Sequence, residues 1–147
     1  MRHQQGTDVF SCGDLYIGEY KWGRADGFGE YKWANGNSYA GQFKNGQKNG
    51  QGFWRKSGNE PSNTYQGSYK NDMKQGFGEF SWSTGSKYSG NYFEDQKRGF
   101  GKMYWADGSF YSGFWNNGVQ SGIGLMVFND GLMKAGFFRE NIYISPL

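Results

Sequence analysis

Aromatic side chains and glycines alternate in a pattern that recurs along the chain. Each unit opens with a tyrosine, has a glycine two positions later, and has an aromatic side chain two positions after that. A polar turn, a Gly-x-Gly segment, an apolar run and a second turn follow. The opening tyrosines are Tyr16, Tyr39, Tyr65, Tyr88 and Tyr111, at steps of 23, 26, 23 and 23 residues. A fixed period of this length is typical of a repeat architecture.

The pattern within each unit predicts a β-hairpin, because apolar and polar positions alternate with a period of two. In the first unit we expect strands over 16–22 and 27–34, joined by a turn at 23–26. Asn35-Gly36 then forms the next turn, since Asn-Gly between strand-like runs is a strong hairpin signal. The later equivalents are Ser57-Gly58, Thr84-Gly85, Asp107-Gly108 and Asp130-Gly131. The expected fold class is therefore all-β, an elongated single-layer antiparallel meander of hairpins.

The period also predicts how the chain is organised. We expect a disordered leader over residues 1–5, a single array over 6–143 and a tail over 144–147. The array would comprise a half unit at 6–15, full units at 16–38, 39–64, 65–87, 88–110 and 111–133, and a half unit or cap at 134–143. The second unit is longer because it contains Pro61 and its neighbours, which suits a protruding loop.

The opening strands predict an aromatic stripe on one face of the sheet, because alternate side chains point to the same side. Its second members, after the opening tyrosines, are Tyr20, Phe43, Tyr69, Tyr92, Trp115 and Phe138. These rings are either the only core that a one-layer sheet has, or the lining of a groove that receives an extended segment or helix of a partner. The two interpretations are compatible, because one layer cannot cover both of its faces.

Basic side chains gather in the predicted turns within the units. They are Arg24, Lys48, Lys74, Lys97 and Arg98. Since all these turns lie on one side, the charges should follow one long edge. That edge either is solvated and resists edge-on association, or contacts an anionic partner such as acidic tails or phosphoinositide headgroups. The net charge of +3 gives little support for lipid binding, and we expect no nucleic-acid partner.

The C-terminal end is the one region rich in aliphatic residues. Leu132, Phe137, Ile142 and Ile144 are the candidate contact residues there. An apolar end strand either folds back as a cap or provides an end-on contact for a second copy or another protein, because an exposed strand edge templates pairing.

Composition argues against catalysis and against metal binding. The chain has 26 glycines, 13 Phe, 11 Tyr and 6 Trp, but one cysteine and one histidine. A single thiol cannot form an internal disulfide, and no Cys/His cluster can hold zinc. The Gly-x-Gly segments lack the Gly-Lys-Ser/Thr of a phosphate loop. We therefore expect no enzyme activity and no cofactor. Without a bilayer-length apolar stretch or a signal-peptide core, we also expect a soluble intracellular protein.

One set of positions recurs every 23 residues: Tyr-x-Gly, a turn Gly or Asp, Gly-x-Gly and a late glycine. With this set the chain resembles the MORN-repeat family over roughly 6–138. Asp72 and Asp95 depart from it by replacing a turn glycine. The resemblance implies a ribbon curled into a groove and a scaffold or adaptor function, in cytoskeletal assemblies such as ciliary axonemes and radial-spoke heads. Phosphoinositide or membrane tethering through the basic edge is the alternative, and a regulatory module for an enzyme on another chain is a third possibility.

Overall fold

A computed structural model describes residues 3–147 as one open sheet of 13 antiparallel strands in sequence order. This confirms the all-β meander of hairpins. The strands are β1 Gln4–Val9, β2 Leu15–Lys21, β3 Arg24–Lys32, β4 Ser38–Lys44, β5 Gln47–Arg55, β6 Thr64–Lys70, β7 Met73–Ser81, β8 Lys87–Phe93, β9 Gln96–Tyr104, β10 Phe110–Asn116, β11 Val119–Val127, β12 Met133–Arg139 and β13 Ile142–Pro146. Within the described part of the chain, no helix has the length and apolar character needed to cross a membrane.

The turns inside the units are shorter than the sequence predicts. β2 ends at Lys21 and β3 begins at Arg24, so the turn is Trp22-Gly23, with φ angles of 57° and 74°. Two-residue hairpin turns of this kind require positive φ, which Gly, Asn and Asp tolerate best. The predicted four-residue turn at 23–26 is therefore wrong, and the return strand begins three residues earlier than expected.

A β-bulge follows each of these turns and restores the pairing of the glycines. In the first unit the register shifts between Gly18 and Tyr20, and Gly27 on the return strand has a φ of 96°. The extra residues let Tyr20 pair with Ala25 while Gly18 pairs with Gly29. The same shift recurs in the four following units. Bulges of this kind increase the local twist of the strands.

Both ends of the array extend further than the predicted boundaries. Gln4 and Gln5 belong to β1, where they pair with β2, so that part of the predicted leader is strand. Residues 1–2 of the leader lie outside the described residues. At the other end β13 pairs with β12, so most of the predicted tail 144–147 is strand as well. In both cases the free edge of the neighbouring strand supplies hydrogen-bond partners for a further strand.

The core lies on one face of the sheet, and glycines make it possible. The five opening tyrosines are each at most 2% exposed. The ring of Tyr88 lies against Gly101, which pairs with Gly90 across β8 and β9, and a Cβ on Gly101 would overlap the ring. The Oη of Tyr88 donates a hydrogen bond to the carbonyl oxygen of Asn91 at 2.8 Å. A tyrosine therefore becomes buried without a second layer of secondary structure.

Candidate functional site

The predicted aromatic stripe is present as an unbroken row of rings packed edge to face. The Tyr88 ring centroid lies 5.2 Å from that of Tyr92 and 5.5 Å from that of Trp115, with interplanar angles of 80° and 89°. This ring row comprises, in order, Tyr20, Tyr16, Phe43, Tyr39, Tyr69, Tyr65, Tyr92, Tyr88, Trp115, Tyr111, Phe138 and Tyr143. We call the face that carries it the ring face. Contacts of this geometry contribute about 0.5–1.5 kcal/mol each beyond burial.

The six residues predicted to line a groove belong to this core. Tyr20 is half-buried, and the exposed fractions of the others are only 5–7%, for Phe43, Tyr69, Tyr92, Trp115 and Phe138. The indole Nε1 of Trp115 donates to the carbonyl oxygen of Gly101 at 3.0 Å, so its polar atom is also satisfied. The core interpretation therefore accounts for these rings, and their contact with a partner stays a prediction.

Burial also keeps the tyrosines of the row uncharged. It raises the pKa of Tyr16 and of Tyr111 to about 12, and it raises the pKa of Tyr69 and Tyr92 still further above the ordinary value. The neutral phenol is favoured because a phenolate in the same place would lose its hydration. The tyrosines of the ring row therefore stay neutral well above the pH at which an exposed tyrosine ionises.

Three of the predicted edge lysines lie on the ring face instead. Lys48, Lys74 and Lys97 are the second residues of β5, β7 and β9, and they pair with the ring-row members of the preceding strands. The prediction placed them in turns along an edge, which is wrong because the turns contain only two residues. Arg24 and Arg98 are exposed, and the Arg98 guanidinium lies 4.9 Å from the Phe93 ring centroid.

The ammonium groups of these lysines lie over aromatic rings. The Nζ of Lys48 is 5.1 Å from the Tyr69 ring centroid, 5.4 Å from that of Trp33 and 5.8 Å from that of Tyr39. Lys97 has the same arrangement with Trp82, Tyr88 and Trp115 at 5.3–5.8 Å, and Lys74 with Tyr65, Phe80 and Tyr92 at 5.6–5.9 Å. Burial lowers the pKa of Lys48 and of Lys97. Each lysine therefore sits in a cage of three rings, a cation–π arrangement.

A second row of side chains on the ring face was not predicted as a site. Its members are half-buried and pack against the ring row: Tyr31, Trp33, Trp54, Phe80, Trp82, Met103, Trp105 and Met126. The sequence does contain a signal for it, because an aromatic residue recurs just before the second turn at Trp33, Trp82 and Trp105. Together with the three lysines, this second row forms the accessible part of the ring face.

The opposite face carries a different apolar set, of which the sequence pointed only to Phe137, as a C-terminal contact residue. Most of these residues are the central residues of the Gly-x-Gly segments. They are 44–63% exposed, and we call their side the phenylalanine face: Phe28, Phe77, Phe100, Phe114, Ile123 and Phe137. Phe100 pairs with Phe114, and Ile123 with Phe137, so the last four form a patch across β9 to β12.

The candidate C-terminal contact residues are all exposed. The exposed fractions are 67% for Leu132, 44% for Phe137, 63% for Ile142 and 53% for Ile144. Tyr143 of the same strand packs on Phe138 and closes the ring row. β13 therefore caps the core on one face and leaves isoleucines accessible beside its free edge.

The comparison with known families agrees with this geometry. The MORN repeat family matches residues 16–38, 39–59, 65–87, 88–110 and 111–133. Each match starts at an opening tyrosine, and the second ends at Asn59, two residues before Pro61. No curated protein shows significant similarity to the chain. Because the matches cover well over half of the sequence, the protein belongs to the MORN-repeat family, a non-catalytic family whose repeats occur in protein–protein and membrane-binding contexts.

Proposed function

We propose that the protein is a non-enzymatic scaffold or adaptor that binds a segment of a partner protein along its ring face. The observation that carries the proposal is the accessible strip formed by the second row and the three caged lysines. It runs over the length of the array, and no second layer of the described chain covers it. Apolar strips of this extent on a protein surface usually mark interaction sites.

The repeat spacing favours an extended partner segment. Neighbouring strands lie about 4.8 Å apart, so two strands per unit advance the surface by roughly 10 Å. An extended chain rises about 3.3 Å per residue, so about every third residue of a segment crossing the strands would meet the next unit. Lys48, Lys74 and Lys97 repeat with this spacing, which favours a segment with acidic residues at matching intervals.

We place this activity in a cytoskeletal or ciliary assembly in the cytoplasm, as the family resemblance suggests. Repeats of a non-catalytic family that occur in protein–protein contexts fit a structural component. The exposed Leu132, Phe137, Ile142 and Ile144 support an additional end-on contact at the C-terminus. Ile142→Ser combined with Ile144→Ser should then weaken assembly while leaving ring-face binding in place, as measured by sedimentation and by partner capture.

Membrane tethering through phosphoinositide headgroups is the alternative function. Its support is the exposed positions of Arg24 and Arg98 and the occurrence of the family in membrane-binding contexts. The three lysines lend it less weight than the sequence suggested, because their ammonium groups lie over rings instead of along an open edge. Binding of this kind should weaken steeply with ionic strength.

The first test compares two triple variants that change the net charge equally. Lys48, Lys74 and Lys97 are replaced by Gln in one variant. In the control, Gln replaces Lys21, Lys44 and Lys70, the last residues of β2, β4 and β6. We expect the first variant to lose a dominant protein partner captured from cell lysate, and the control to keep it. Loss in both variants together with phosphoinositide vesicle binding would support the membrane alternative.

A site-specific photo-crosslinker then identifies the face. It is placed at Met103 on the ring face, and in a matched protein at Phe77 on the phenylalanine face. We expect the captured partner to crosslink from Met103 and not from Phe77. Crosslinking from Phe77 alone would refute the ring-face proposal and move the binding surface to the opposite side of the sheet.

A further inference from the structure

The patch on the phenylalanine face across β9 to β12 is the first row of a larger apolar block. Alternate residues of one strand point to the same side, so two further rows follow at intervals of two residues along these strands. The outermost row is apolar throughout, and its members pair in turn across the four strands: Tyr104, Phe110, Val127 and Met133.

The middle row of the block contains its one charged side chain. The row comprises, in the same strand order, Lys102, Ser112, Leu125 and Ala135. Lys102 lies on β9, at the border of the block, and its Nζ is 4.3 Å from the Phe110 ring centroid and 4.8 Å from that of Tyr104. We call these three rows the C-terminal block. Ten of its twelve residues are apolar and none is acidic.

The equivalent positions on β3 to β6 form an N-terminal block of opposite chemistry. Its outermost row is polar throughout, with the same pairing across four strands: Lys32, Ser38, Arg55 and Thr64. Five of the other eight residues are polar as well: Glu30, Gln42, Gln51, Gln66 and Ser68. The apolar members of this block are Phe28, Ala40 and Phe53.

The comparison of the two blocks separates folding from another role. Both blocks lie behind the same ring row, and their strands pair in the same register with the same bulges. Polar side chains at these positions therefore suffice for the fold. The C-terminal block is apolar for a different reason, and contact with protein is the usual reason for an exposed apolar surface of this extent.

The accessible area of the C-terminal block matches the requirement of a stable dimer. Exposed fractions are 51% for Phe100, 46% for Phe114, 48% for Ile123 and 66% for Met133. Since a whole aromatic side chain offers about 150–250 Å², the block exposes roughly 700 Å² of apolar surface. Two blocks packed together would bury roughly 1,400 Å², within the range of about 1,200–2,000 Å² for stable interfaces.

The shape of the block also suits a second copy. The faces of two sheets pack about 10 Å apart, with the side chains of both inner faces interdigitating. A two-fold axis through the block lets the same residues cover each other, so one apolar surface provides both sides of the interface. Lys102 lies on the border strand, where its ammonium group stays in the polar rim.

We infer that two copies of the protein associate face to face through their C-terminal blocks, forming a two-layer β-sandwich over β9 to β12. The inference goes beyond the proposed function and does not depend on it. The ring faces of both copies point outward in such a pair. A dimeric scaffold therefore presents two ring faces and can join two partner segments.

The first test compares two double variants at equivalent positions of the repeat. Phe100→Thr with Ile123→Thr changes the C-terminal block, and Phe28→Thr with Phe77→Thr is the control. The control side chains are the more exposed, at 63% and 60%, so a general loss of apolar surface would act on them at least as strongly. Threonine suits exposed strand positions, and circular dichroism verifies the folding of each variant.

Sedimentation velocity over a dilution series then measures association. We expect the wild-type protein and the control variant to form a dimer that dissociates on dilution. We expect the C-terminal block variant to associate at least about tenfold more weakly, because two central side chains of the interface are lost.

A distance between spin labels identifies the geometry of the pair. The label is attached through Ser89→Cys, with the exposed Cys12 replaced by serine. Ser89 pairs with Lys102, so it lies on β8, one strand outside the block. At about 4.8 Å per strand it is about 12 Å from the block centre, and we expect about 25–30 Å between the two labels. An end-on contact through β13 would separate the labels by about 50 Å.

Several results would overturn the inference. They are a wild-type protein that is monomeric throughout the dilution series, equal weakening in both double variants, or a label distance near 50 Å. A monomeric chain whose C-terminal block captures a different protein or a lipid vesicle would assign the block to that occupant and refute the second copy. The variant of Lys48, Lys74 and Lys97 tests ring-face binding separately, so either proposal can fail while the other stands.

Discussion

The two faces of the sheet carry similar aromatic side chains with opposite degrees of burial. Tyr88 on the ring face is fully buried, while Phe100 on the adjacent strand is 51% exposed on the phenylalanine face. Tyr88 lies against the pair Gly90 and Gly101 and packs edge to face with Tyr92 and Trp115. Phe100 has one ring neighbour, Phe114, at 5.8 Å. In a one-layer sheet, paired glycines thus replace the second layer that normally buries a core.

This difference assigns separate tasks to the two faces. Side chains of the ring row should control stability, since their burial is the main hydrophobic contribution that the fold has. Exposed side chains of the phenylalanine face should influence association more than folding. Each of the following experiments tests that separation, and they are ordered by the size of the expected effect.

Alkaline titration should have the largest effect, because it acts on all the buried tyrosines of the ring row together and leaves the phenylalanines of the opposite face unchanged. Burial raises the pKa of Tyr16 and Tyr111 to about 12, from an ordinary value of 10.0. Above pH 10 the unfolded chain therefore loses phenolic protons before the folded chain does, so stability falls as pH rises. We expect full stability below pH 10 and cooperative unfolding between about pH 10 and 12.

Absorbance at 295 nm and circular dichroism, recorded together, test this expectation. The phenolate signal of the buried tyrosines should appear with the loss of the β-sheet signal. If phenolate formation were complete by pH 11 in a sheet that is still folded, the rings would not be buried as described, and the contrast between the faces would fail.

Replacing one ring from each face should have the next largest effect. Tyr88→Ala should lower the free energy of unfolding by about 3–5 kcal/mol, because it removes a fully buried ring and leaves a cavity. Phe100→Ala should lower it by less than about 1 kcal/mol, since the ring is half exposed and loses one cross-strand pair. Urea denaturation of the two variants gives the comparison. Equal losses would contradict the separation of the faces.

The role of the glycines that contact the buried tyrosines can be tested without replacing a ring. Gly101→Ala places a Cβ against the Tyr88 ring and should cost about 3 kcal/mol, as overpacking does. The control is Gly108→Ala, because Gly108 has a φ of 92° and no atom within 4 Å of an added Cβ. It should cost about 1 kcal/mol from backbone strain alone. A smaller loss for Gly101→Ala than for the control would mean that the sheet adapts to the added methyl group.

Much of the fold could be predicted because its main determinants are periodic in the sequence. The spacing of Tyr88 and Gly90 places them on one face of a strand. The Gly-x-Gly segment that follows, at 99–101, indicates the partner strand. The turn length could not be predicted, because Trp22 takes a positive φ that its residue type rarely adopts. Asp72 in turn takes the place of a turn glycine with a φ of 69°, and its carboxylate accepts a hydrogen bond from the N–H of Lys48.

The candidate site was less predictable than the fold. The alternation placed these rings on one face, yet whether they form core or an open groove depends on how far each ring tilts over its glycines. The tilt results from packing between side chains, and the alternation of apolar and polar residues in the sequence does not determine it. The displaced lysines follow from the same limit: a change of two residues in turn length moves Lys48 from an edge to the ring face. The exposed Phe77 had no signal beyond lying between two glycines.

The smallest effect should come from the hydroxyl group that distinguishes the ring-face tyrosines from the phenylalanines opposite. Each opening tyrosine donates to the carbonyl oxygen three residues later, at 2.8–2.9 Å. Tyr88→Phe removes this bond and leaves the Asn91 carbonyl oxygen without that donor, so it should cost about 1 kcal/mol. In the control Tyr143→Phe, the lost bond is an exposed one of 3.2 Å to the carbonyl oxygen of Ala135, and water can replace it. That variant should stay within about 0.5 kcal/mol of the parent protein. If Tyr88→Phe were equally neutral, burial of the ring alone would account for the stabilisation at this position. A phenylalanine would then suffice on either face of the sheet.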